Sequence, residues 1–312
     1  MISNKKYVSQ FALMGTIISI TLFENRPQVV FAIFRYLQRV EHQFSANNQQ
    51  SELMQINQNA GHQPVMVSAT VFNLIKYAVR FSRQHSNSFN IAVGPLVKLW
   101  HVGFADQHVP KDIEIKKRLQ LVDINAIKLN ETKKTIYLEY PGMELDLGAI
   151  AKGYFADQIG ELLRDFKIKD AIIDLGGNVV TFGINRLVDN KLWQIGIQDP
   201  QQSRGVILGR VQSSACSAVT SGIGERNFNI NGRFYHHIIS PQTGYPLEND
   251  VTQVTIFSKS SLQGELLSTI AFFAGSVEGL QLIEAKKDAA AVFVTRTGEI
   301  KTTNNLDFEA IV

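Results

Sequence analysis

The chain has 312 residues, 45% of them hydrophobic, and 31 basic against 28 acidic residues, for a formal net charge of +3. This composition is sufficient to bury a large core and excludes a disordered chain. The slight positive balance comes without a dense basic run, which argues against a nucleic-acid-binding face but suits an anionic ligand. A single cysteine, Cys216, excludes an internal disulfide and any cysteine-based zinc site.

The N-terminal segment MISNKKYVSQFALMG has two lysines, but polar residues follow where a signal peptide would have a continuous apolar stretch. It is followed by no small-residue cleavage site and contains no lipobox-type cysteine, so a cytoplasmic location is expected. No apolar run approaches the ~18 residues that a transmembrane helix needs, so no membrane span is predicted.

The first part of the chain gives both strand and helix signals. Tyr7 to Phe23 is rich in β-forming residues but is interrupted by Met14-Gly15, which predicts a bent strand or two strands meeting at the glycine. Pro27 opens a helix, and Ser68 caps another. The residues predicted to face inward on the first of these helices are Val30, Phe31, Phe34, Leu37, Val40 and Phe44.

Later segments add an exposed helix and further strands. Pro110 to Leu121 has the alternating charges of a solvated helix, and Ile127 to Leu138 predicts a hairpin with a polar turn. Ala171 to Leu175 is a buried strand run that ends at Gly176-Gly177. Strands and helices mix without strict alternation, and no flexible linker divides the chain, which favours an α+β fold over a doubly wound sheet. We predict a single domain over residues 1–312, with two intimate subdomains as the alternative.

The segment LDLGAIAKGYFAD, from Leu145 to Asp157, carries the first candidate site. It predicts a strand, a tight turn at Gly148 and a helix, because the apolar positions beyond this glycine fall on one helical face. Asp146, Lys152 and the free N–H groups of the first helical turn would lie near this turn, where phosphates commonly bind. The segment matches neither the P-loop nor the GxGxxG pattern. An ordinary strand-to-helix connection with a solvated lysine therefore stays open as the alternative.

Six segments, spread in order over nearly all of the chain, share the signature of one family. Besides LDLGAIAKGYFAD they are FNIAVGPLVKLW (Phe89 to Trp100), AIIDLGGNVVTFG (Ala171 to Gly183), SGIGERNF (Ser221 to Phe228), YHHIISPQTGYP (Tyr235 to Pro246) and GELLSTIAFFAG (Gly264 to Gly275). They resemble the ApbE family, the flavin transferases that move FMN from FAD onto a protein threonine. The resemblance implies an ApbE-like mixed fold with antiparallel sheets and packed helices.

A second candidate site lies on the predicted helix that Ser260 and Gln263 open as a capping box. Glu265 and Thr269 are four residues apart on this helix, so their side chains point the same way. The resemblance aligns them with a metal-binding D-x-x-x-T pair, whose third protein ligand is the main-chain carbonyl at Ala149. It implies Mg²⁺ as the cofactor. Because Glu265 replaces an aspartate and Mg²⁺ demands near-octahedral geometry, Mn²⁺ or Ca²⁺ is the alternative.

The flavin-binding residues follow from the resemblance. It places Met14 and Ile238 against the flavin ring, and Ser88, Phe89 and Asn90 on the adenine or ribose side of FAD. Asn90 stands where the family has an aspartate, and an asparagine can still hydrogen-bond there although it has no charge. Met14 as a filler of the hydrophobic core is the alternative.

His236 and His237 are adjacent in a segment that reads as extended, so their side chains point to opposite faces and cannot chelate one ion together. The resemblance selects His237 as the catalytic residue that accepts the proton of the incoming threonine hydroxyl. Glu265, as the metal ligand, is the second catalytic residue. A histidine that only hydrogen-bonds the turn is the alternative for His237. Ser240, before Pro241, is a further position where the family commonly has an aspartate.

The resemblance implies an FAD:protein FMN transferase with FAD as its substrate and an acceptor flavoprotein, carrying the target threonine, as its partner. The transfer forms a phosphoester and releases AMP. Two alternatives are a metal-dependent FAD pyrophosphatase, which releases FMN and AMP, and a non-catalytic FAD-binding protein that has lost the metal. No nucleic-acid partner is expected.

Overall fold

The computed structural model describes residues 5–311, so the first four residues of the N-terminal segment interpreted above lie outside the described residues. The helices are α1 (Pro27–Phe44), α2 (Glu52–Gln58), α3 (Ala69–Gln84), α4 (Gly94–Trp100), α5 (Asp112–Leu119), α6 (Ala151–Asp165) and α7 (Ser261–Glu284). The strands are β1 (Tyr7–Leu13), β2 (Thr16–Leu22), β3 (Val65–Met66), β4 (Ile127–Asn130), β5 (Thr135–Leu138), β6 (Ala171–Asp174), β7 (Asn178–Phe182), β8 (Trp193–Gln198), β9 (Ile207–Ser213), β10 (Ser217–Gly222), β11 (Asn227–Ile230), β12 (Arg233–His236), β13 (Val251–Ser258), β14 (Ala289–Thr295), β15 (Ile300–Thr302) and β16 (Asp307–Ala310).

The described chain forms two compact units, each assembled from segments that are distant in sequence. The first unit comprises the chain up to Val40, Lys152–Gly222, and the chain from Asp250 onward. The second unit comprises Glu41–Ala151 and Ile223–Asn249. The first unit is therefore completed only by the C-terminal part of the chain.

The first unit is built on an eight-stranded antiparallel sheet with the strand order β1-β2-β6-β7-β10-β13-β14-β15. Strands β1 and β2 form a hairpin in which Leu13 pairs with Thr16. The connecting residues Met14 and Gly15 both have positive φ values, 54° and 71°, as a two-residue hairpin turn requires. The prediction of two strands meeting at the glycine, rather than one bent strand, is confirmed.

Helix α7 packs on β10, β13 and β14 of this sheet. It is long and apolar enough to cross a membrane by length and composition alone, but more than half of its most apolar stretch is buried in the fold, a pattern that a core helix also shows. Gly275, with φ 84° and ψ 175°, interrupts the helix. Asp250 accepts hydrogen bonds from the main-chain N–H and the hydroxyl of Ser276. It therefore caps the second half of α7 in the way that an N-cap residue does.

A second, three-stranded sheet of the first unit has the order β16-β9-β8. Its buried side chains form one hydrophobic cluster with those of β10, β13 and β14, consisting of Ile195, Ile197, Val211, Ala218, Phe257, Ala290 and Val292. Cys216 packs against this cluster, and burial raises the pKa of its thiol. Cys216 therefore behaves as a small hydrophobic residue, as free buried cysteines usually do.

The second unit contains α2 to α5, a three-stranded antiparallel sheet in the order β3-β5-β4, and the hairpin β11-β12. Trp100 is fully buried, and its indole N–H donates to the carbonyl of Gly244 at 2.8 Å. The cluster around it consists of Leu96, Val102, Ile115, Phe228 and Ile239. The exposed helix expected after Pro110 is confirmed as α5, and the hairpin expected at 127–138 is confirmed as β4-β5.

Every strand pairing among the described residues is antiparallel, which confirms the mixed α+β fold. One residue of the predicted inward face of α1 is wrong, since Phe31 is 63% exposed, whereas Leu37, Val40 and Phe44 are buried as predicted. The buried apolar residues of α1 are Val29, Ile33, Tyr36, Leu37, Val40 and Phe44. Spacings of three and four residues connect this whole set, and Phe31 lies outside its stripe.

The segment before Gly148 also differs from the prediction of a strand, a turn and a helix. It joins no strand ladder, and α6 begins only at Ala151.

Candidate functional site

Helix α7 begins beside α6 in the first unit, with the predicted residue Ser260 as its N-cap. The carboxylate of Asp157, on α6, accepts hydrogen bonds from the Ser260 hydroxyl and from the N–H groups of Ser261 and Leu262, at 2.7 to 3.0 Å. It satisfies donors that have no partner within the helix and places a negative charge at the positive end of α7. Asp157 thereby fixes the start of the helix that carries Glu265.

Glu265 lies one turn into α7 and is 6% exposed. Its Oε1 accepts a hydrogen bond from Nδ2 of Asn178 at 2.8 Å, and the N–H of Gly153 donates to the same carboxyl group. Burial raises the pKa of Glu265, against the opposing effects of the Lys152 charge and of these two hydrogen bonds. A Cβ at position 153 would lie 2.5 Å from Cγ of Glu265, so only glycine fits there. Residues from two of the predicted segments, Lys152 and Glu265, are thus brought together.

Thr269 lies one turn further along α7 and is half-buried, and its hydroxyl donates to the main-chain carbonyl of Glu265 at 3.0 Å. A hydroxyl that donates this bond still has oxygen lone pairs to offer. Carboxylate and hydroxyl oxygens are the ligands that Mg²⁺ and Ca²⁺ prefer. Within residues 5–311, no group of three or more His, Cys, Asp or Glu side chains could hold a metal ion. One carboxylate and one hydroxyl on α7 are of the chemical kind that a hard divalent cation takes, and a metal at Glu265 and Thr269 stays a prediction.

In the second unit, helix α2 and the segment FNIAVGPLVKLW hold the chain that leads into α6. The side chain of Asn57, in α2, donates to the carbonyl of Leu145 at 3.2 Å and accepts from its N–H at 2.8 Å. The N–H of Asp146 donates to the carbonyl of Ile91 at 2.8 Å. Gly94 allows this close approach, since a Cβ there would meet a carbonyl oxygen of the same segment at 2.5 Å. The segment is thus fixed by these individual hydrogen bonds rather than by a strand ladder.

Asp146 is half-buried at the end of this segment, and Ala149 follows as an exposed residue. Oδ1 of Asp146 accepts from the N–H of Gly148 at 2.8 Å, the hydrogen bond of an Asx turn. Loss of hydration raises the pKa of the Asp146 carboxyl group, against the opposing effects of this hydrogen bond and of the Arg226 guanidinium. Asp146 therefore stabilises the turn before α6, and its role toward a phosphate stays a prediction.

The two adjacent histidines make different hydrogen bonds. Nε2 of buried His236 donates to the carbonyl of Leu247 at 2.9 Å, and its Nδ1 accepts the N–H of Ile238 at 3.3 Å. Both ring nitrogens of His236 therefore serve the fold. Nδ1 of half-buried His237 lies 3.2 Å from the carbonyl of Arg226. Because a carbonyl can only accept, Nδ1 carries the proton and Nε2 is the basic nitrogen of His237.

Asn90 and Ser240, two positions where the resemblance implied an aspartate, both cap local turns. Oδ1 of Asn90 accepts the N–H of Ala92 at 2.9 Å. Oγ of Ser240 accepts the N–H groups of Gln242 and Thr243, both at 3.3 Å. Asparagine, serine and aspartate are all good acceptors in such caps. Both residues therefore make cap hydrogen bonds of the kind that an aspartate makes, without its charge.

The other predicted flavin-binding residues have local structural roles. The Ser88 hydroxyl donates to a main-chain carbonyl of the preceding turn at 3.3 Å, and buried Phe89 packs edge-on against Phe81 with ring centroids 5.2 Å apart. Met14 lies in the turn of the β1-β2 hairpin, and Ile238 is half-buried after β12. Their contacts with a flavin stay predictions.

Three residues that hold these elements in place had no predicted partner, namely Asn57, Asp157 and Asn178. Asp157 and Asn178 lie inside motif segments, whereas Asn57 lies outside all six, and Asn178 directly follows Gly176-Gly177. For Asn178, an amide side chain in an otherwise apolar strand was the available signal, since buried polar groups need a partner. The partners themselves, such as Glu265 at 87 residues' distance from Asn178, could not be read from spacing.

Comparisons with known proteins agree with the resemblance. A model described as the ApbE family matches residues 14–293. The chain is 39% identical over 300 residues to an FAD:protein FMN transferase of Klebsiella pneumoniae (strain 342), with 96% of this chain and 92% of that protein covered. It is 33% identical over 306 residues to an FAD:protein FMN transferase of Treponema pallidum (strain Nichols), with 93% and 84% covered.

Solved structures extend the agreement to the fold. The ApbE protein of Thermotoga maritima matches with a TM-score of 0.86 at 27% identity, over 96% of this chain and 97% of that one. The flavin transferase ApbE of Vibrio cholerae matches with a TM-score of 0.81, also at 27% identity and with 96% and 97% covered. Since the family model covers most of the sequence and these relatives nearly all of it, the chain belongs to the ApbE family.

Proposed function

We propose that this chain is an FAD:protein FMN transferase that moves FMN from FAD to a threonine hydroxyl of a partner flavoprotein. The relatives that have this name support the reaction class. One observation in the structure carries the proposal: the Nδ1–H of His237 donates to the carbonyl of Arg226, which sets the tautomer in which Nε2 is the nitrogen able to accept a proton. His236 uses both ring nitrogens in the fold, so it is not the base.

The reaction joins the threonine oxygen to the phosphorus atom of the FMN half of FAD. The P–O bond to AMP breaks as the new phosphoester bond forms, and Nε2 of His237 takes the proton of the hydroxyl. The flavin keeps its oxidation state, so the reaction needs no oxidant or reductant. With water as the nucleophile, the same steps give free FMN and AMP. The transferase and the pyrophosphatase therefore differ in the group that attacks the phosphorus.

Glu265 and Thr269 are the residues that would hold a divalent cation, which we propose to be Mg²⁺. When bound, such an ion neutralises charge on phosphoryl oxygens. Burial raises the pKa of Glu265, and a nearby cation favours the ionised carboxylate that a metal ligand must be. Lys152, whose charge already acts on Glu265, is proposed to attract the phosphates of FAD.

Mass spectrometry of a threonine-containing acceptor flavoprotein, after incubation with FAD and Mg²⁺, tests the proposal. We expect an FMN adduct with the parent protein. His237→Gln removes the basic nitrogen and should slow adduct formation by about 10²–10⁴-fold, the usual contribution of a general base. His236→Gln is the matched control, which should lower the unfolding midpoint and leave the folded fraction active.

Equal rates for the parent and His237→Gln would rule out the base role of His237. Release of FMN and AMP without an adduct, in the presence of a competent acceptor, would establish the pyrophosphatase instead. Binding of FAD without any product would establish the non-catalytic alternative.

A further inference from the structure

Asn178 lies at the centre of a buried hydrogen-bond network in the first unit. It is the first residue of β7, directly after Gly176-Gly177, and is 1% exposed. Its Nδ2 donates to Oε1 of Glu265 at 2.8 Å, and its Oδ1 accepts from the Ser261 hydroxyl at 2.8 Å. Ser261 is fully buried in the first turn of α7. One amide group thus contacts two side chains that are one turn apart on the same helix.

The hydroxyl of Ser261 determines which way this amide faces. If the amide of Asn178 were flipped, its oxygen would meet the carboxylate of Glu265, and two acceptors would be in contact without a proton between them. Because the Ser261 hydroxyl donates to Oδ1, the NH₂ group is directed at Glu265. The N–H of Gly153 also donates to this carboxyl group. Two donors from outside α7 therefore fix the position of the carboxylate.

We propose that Asn178 is a positioning residue that orients the Glu265 carboxylate for a divalent cation. This inference rests on the proposed function, because it concerns the same metal ligand. Removal of a group that hydrogen-bonds a metal ligand typically weakens metal binding by about 10–100-fold. Asn178 acts through Glu265 and needs no contact with FAD, with the acceptor or with the ion.

The length of the side chain at position 265 makes this interaction specific to glutamate. An aspartate is shorter by one methylene group, about 1.5 Å of reach. The 2.8 Å hydrogen bond from Asn178 would become a separation of about 4 Å, which is not a hydrogen bond. Asn178 therefore orients a glutamate at this position, and an aspartate would depend on other groups.

A double-mutant cycle tests the inference, with the dissociation constant of Mn²⁺ alone for the FAD-free protein as its readout. In the parent background, Asn178→Ala should raise the Kd for Mn²⁺ by about 10-fold or more. In the Glu265→Asp background, the same substitution should change the Kd by less than about twofold, because the contact is already absent.

Ser268→Ala is the matched control within α7. The Ser268 hydroxyl is buried and donates to the main-chain carbonyl of Glu265 at 3.0 Å. Its removal deletes this hydrogen bond and the one that it accepts from the Ser221 hydroxyl without touching the carboxylate, so the Kd for Mn²⁺ should stay within about twofold of the parent value. If Asn178→Ala does not fold, Asn178→Ser replaces it in both backgrounds, since serine is too short to reach Glu265.

Equal changes of Kd in the two backgrounds would overturn the inference, because a purely structural role of Asn178 does not depend on the length of the side chain at 265. A change of the Mn²⁺ Kd by Ser268→Ala as large as the change by Asn178→Ala would overturn the inference too. A parent protein that binds no Mn²⁺ would also overturn it. FMN transfer by the parent is measured in parallel. If the FMN adduct forms but Asn178→Ala changes the Kd equally in both backgrounds, only the role of Asn178 is refuted. If the change of Kd depends on the residue at 265 but no adduct forms, only the transfer reaction is refuted.

Discussion

The substitution Gly153→Ala probes the contact between α6 and α7 that surrounds Glu265. A Cβ at position 153 would lie 2.5 Å from Cγ of Glu265 and 2.6 Å from the carbonyl oxygen of Ser261. The second of these atoms belongs to the main chain, which cannot move aside as a flexible side chain can. The two helices must therefore separate to admit a methyl group.

The expected free-energy change combines one gain with two losses. Alanine is favoured over glycine in a helix interior by about 1 kcal/mol. Overpacking of a buried contact costs about 1–3 kcal/mol. Weakening of the hydrogen bond from the Gly153 N–H to the buried Glu265 carboxyl group costs part of the ~1.5–3 kcal/mol that such a bond contributes when the acceptor is charged. We therefore expect Gly153→Ala to lower the free energy of unfolding by about 2 kcal/mol, summed over these terms.

The assay is urea unfolding of Gly153→Ala and of a control in the same helix, Gly160→Ala. At position 160 a Cβ would approach the ring of Phe182 at 3.0 Å, and a side chain can yield by a few tenths of an ångström. The control should therefore stay within about 1 kcal/mol of the parent. A Gly153→Ala protein more stable than the parent by about 1 kcal/mol, as helix propensity alone predicts, would refute the reasoning.

Three further predictions use urea unfolding as the readout. Asn57→Ala leaves the buried N–H and carbonyl of Leu145 without a partner and should cost about 2–4 kcal/mol; a loss below about 0.5 kcal/mol would contradict this role. Tyr36→Phe removes a buried hydroxyl that has no hydrogen-bond partner in the described chain, so we expect a stability equal to or about 1 kcal/mol above that of the parent, and a clear loss would count against it. Partial burial alone would raise the pKa of Asp250, but the hydrogen bonds from Ser276 hold it below the usual value. The stabilisation by Asp250 is therefore present above the unfolded-state pKa of about 3.9 and is lost as the pH falls through the lower folded-state pKa. Asp250→Asn should therefore have a smaller free energy of unfolding than the parent at pH 6, and the two values should converge at strongly acidic pH.

Local features of the sequence predicted the secondary-structure elements better than they predicted the contacts between those elements. The β1-β2 hairpin, the Ser68 cap of α3 and the turn before β5 follow from residues adjacent in sequence, and all three are confirmed. Phe31 was predicted wrongly because several apolar residues of α1 allow more than one inward stripe, and only packing selects among them. Short-range chemistry is thus recoverable from a single sequence.

The candidate site depends on contacts that no local pattern contains. Helical spacing placed Glu265 and Thr269 on one face, and the structure adds the donors that hold the carboxylate, Asn178 and Gly153. Asn57 is 88 residues from Leu145, and Asp157 is 103 residues from Ser260. Such pairs form only when the tertiary fold brings distant segments together, so one sequence does not identify them.

The strand order of the large sheet has a consequence for synthesis of the chain. β13 lies between β10 and β14 in the sheet, although residues 223–249, which belong to the second unit, precede it in sequence. A nascent chain that ends before Val251 therefore leaves β10 as an open edge, and open edges are sites of aggregation. Asn178 likewise meets Glu265 only after α7 has left the ribosome. The carboxylate of the candidate metal site is thus among the last groups to be positioned, and a chain that ends before α7 lacks it altogether.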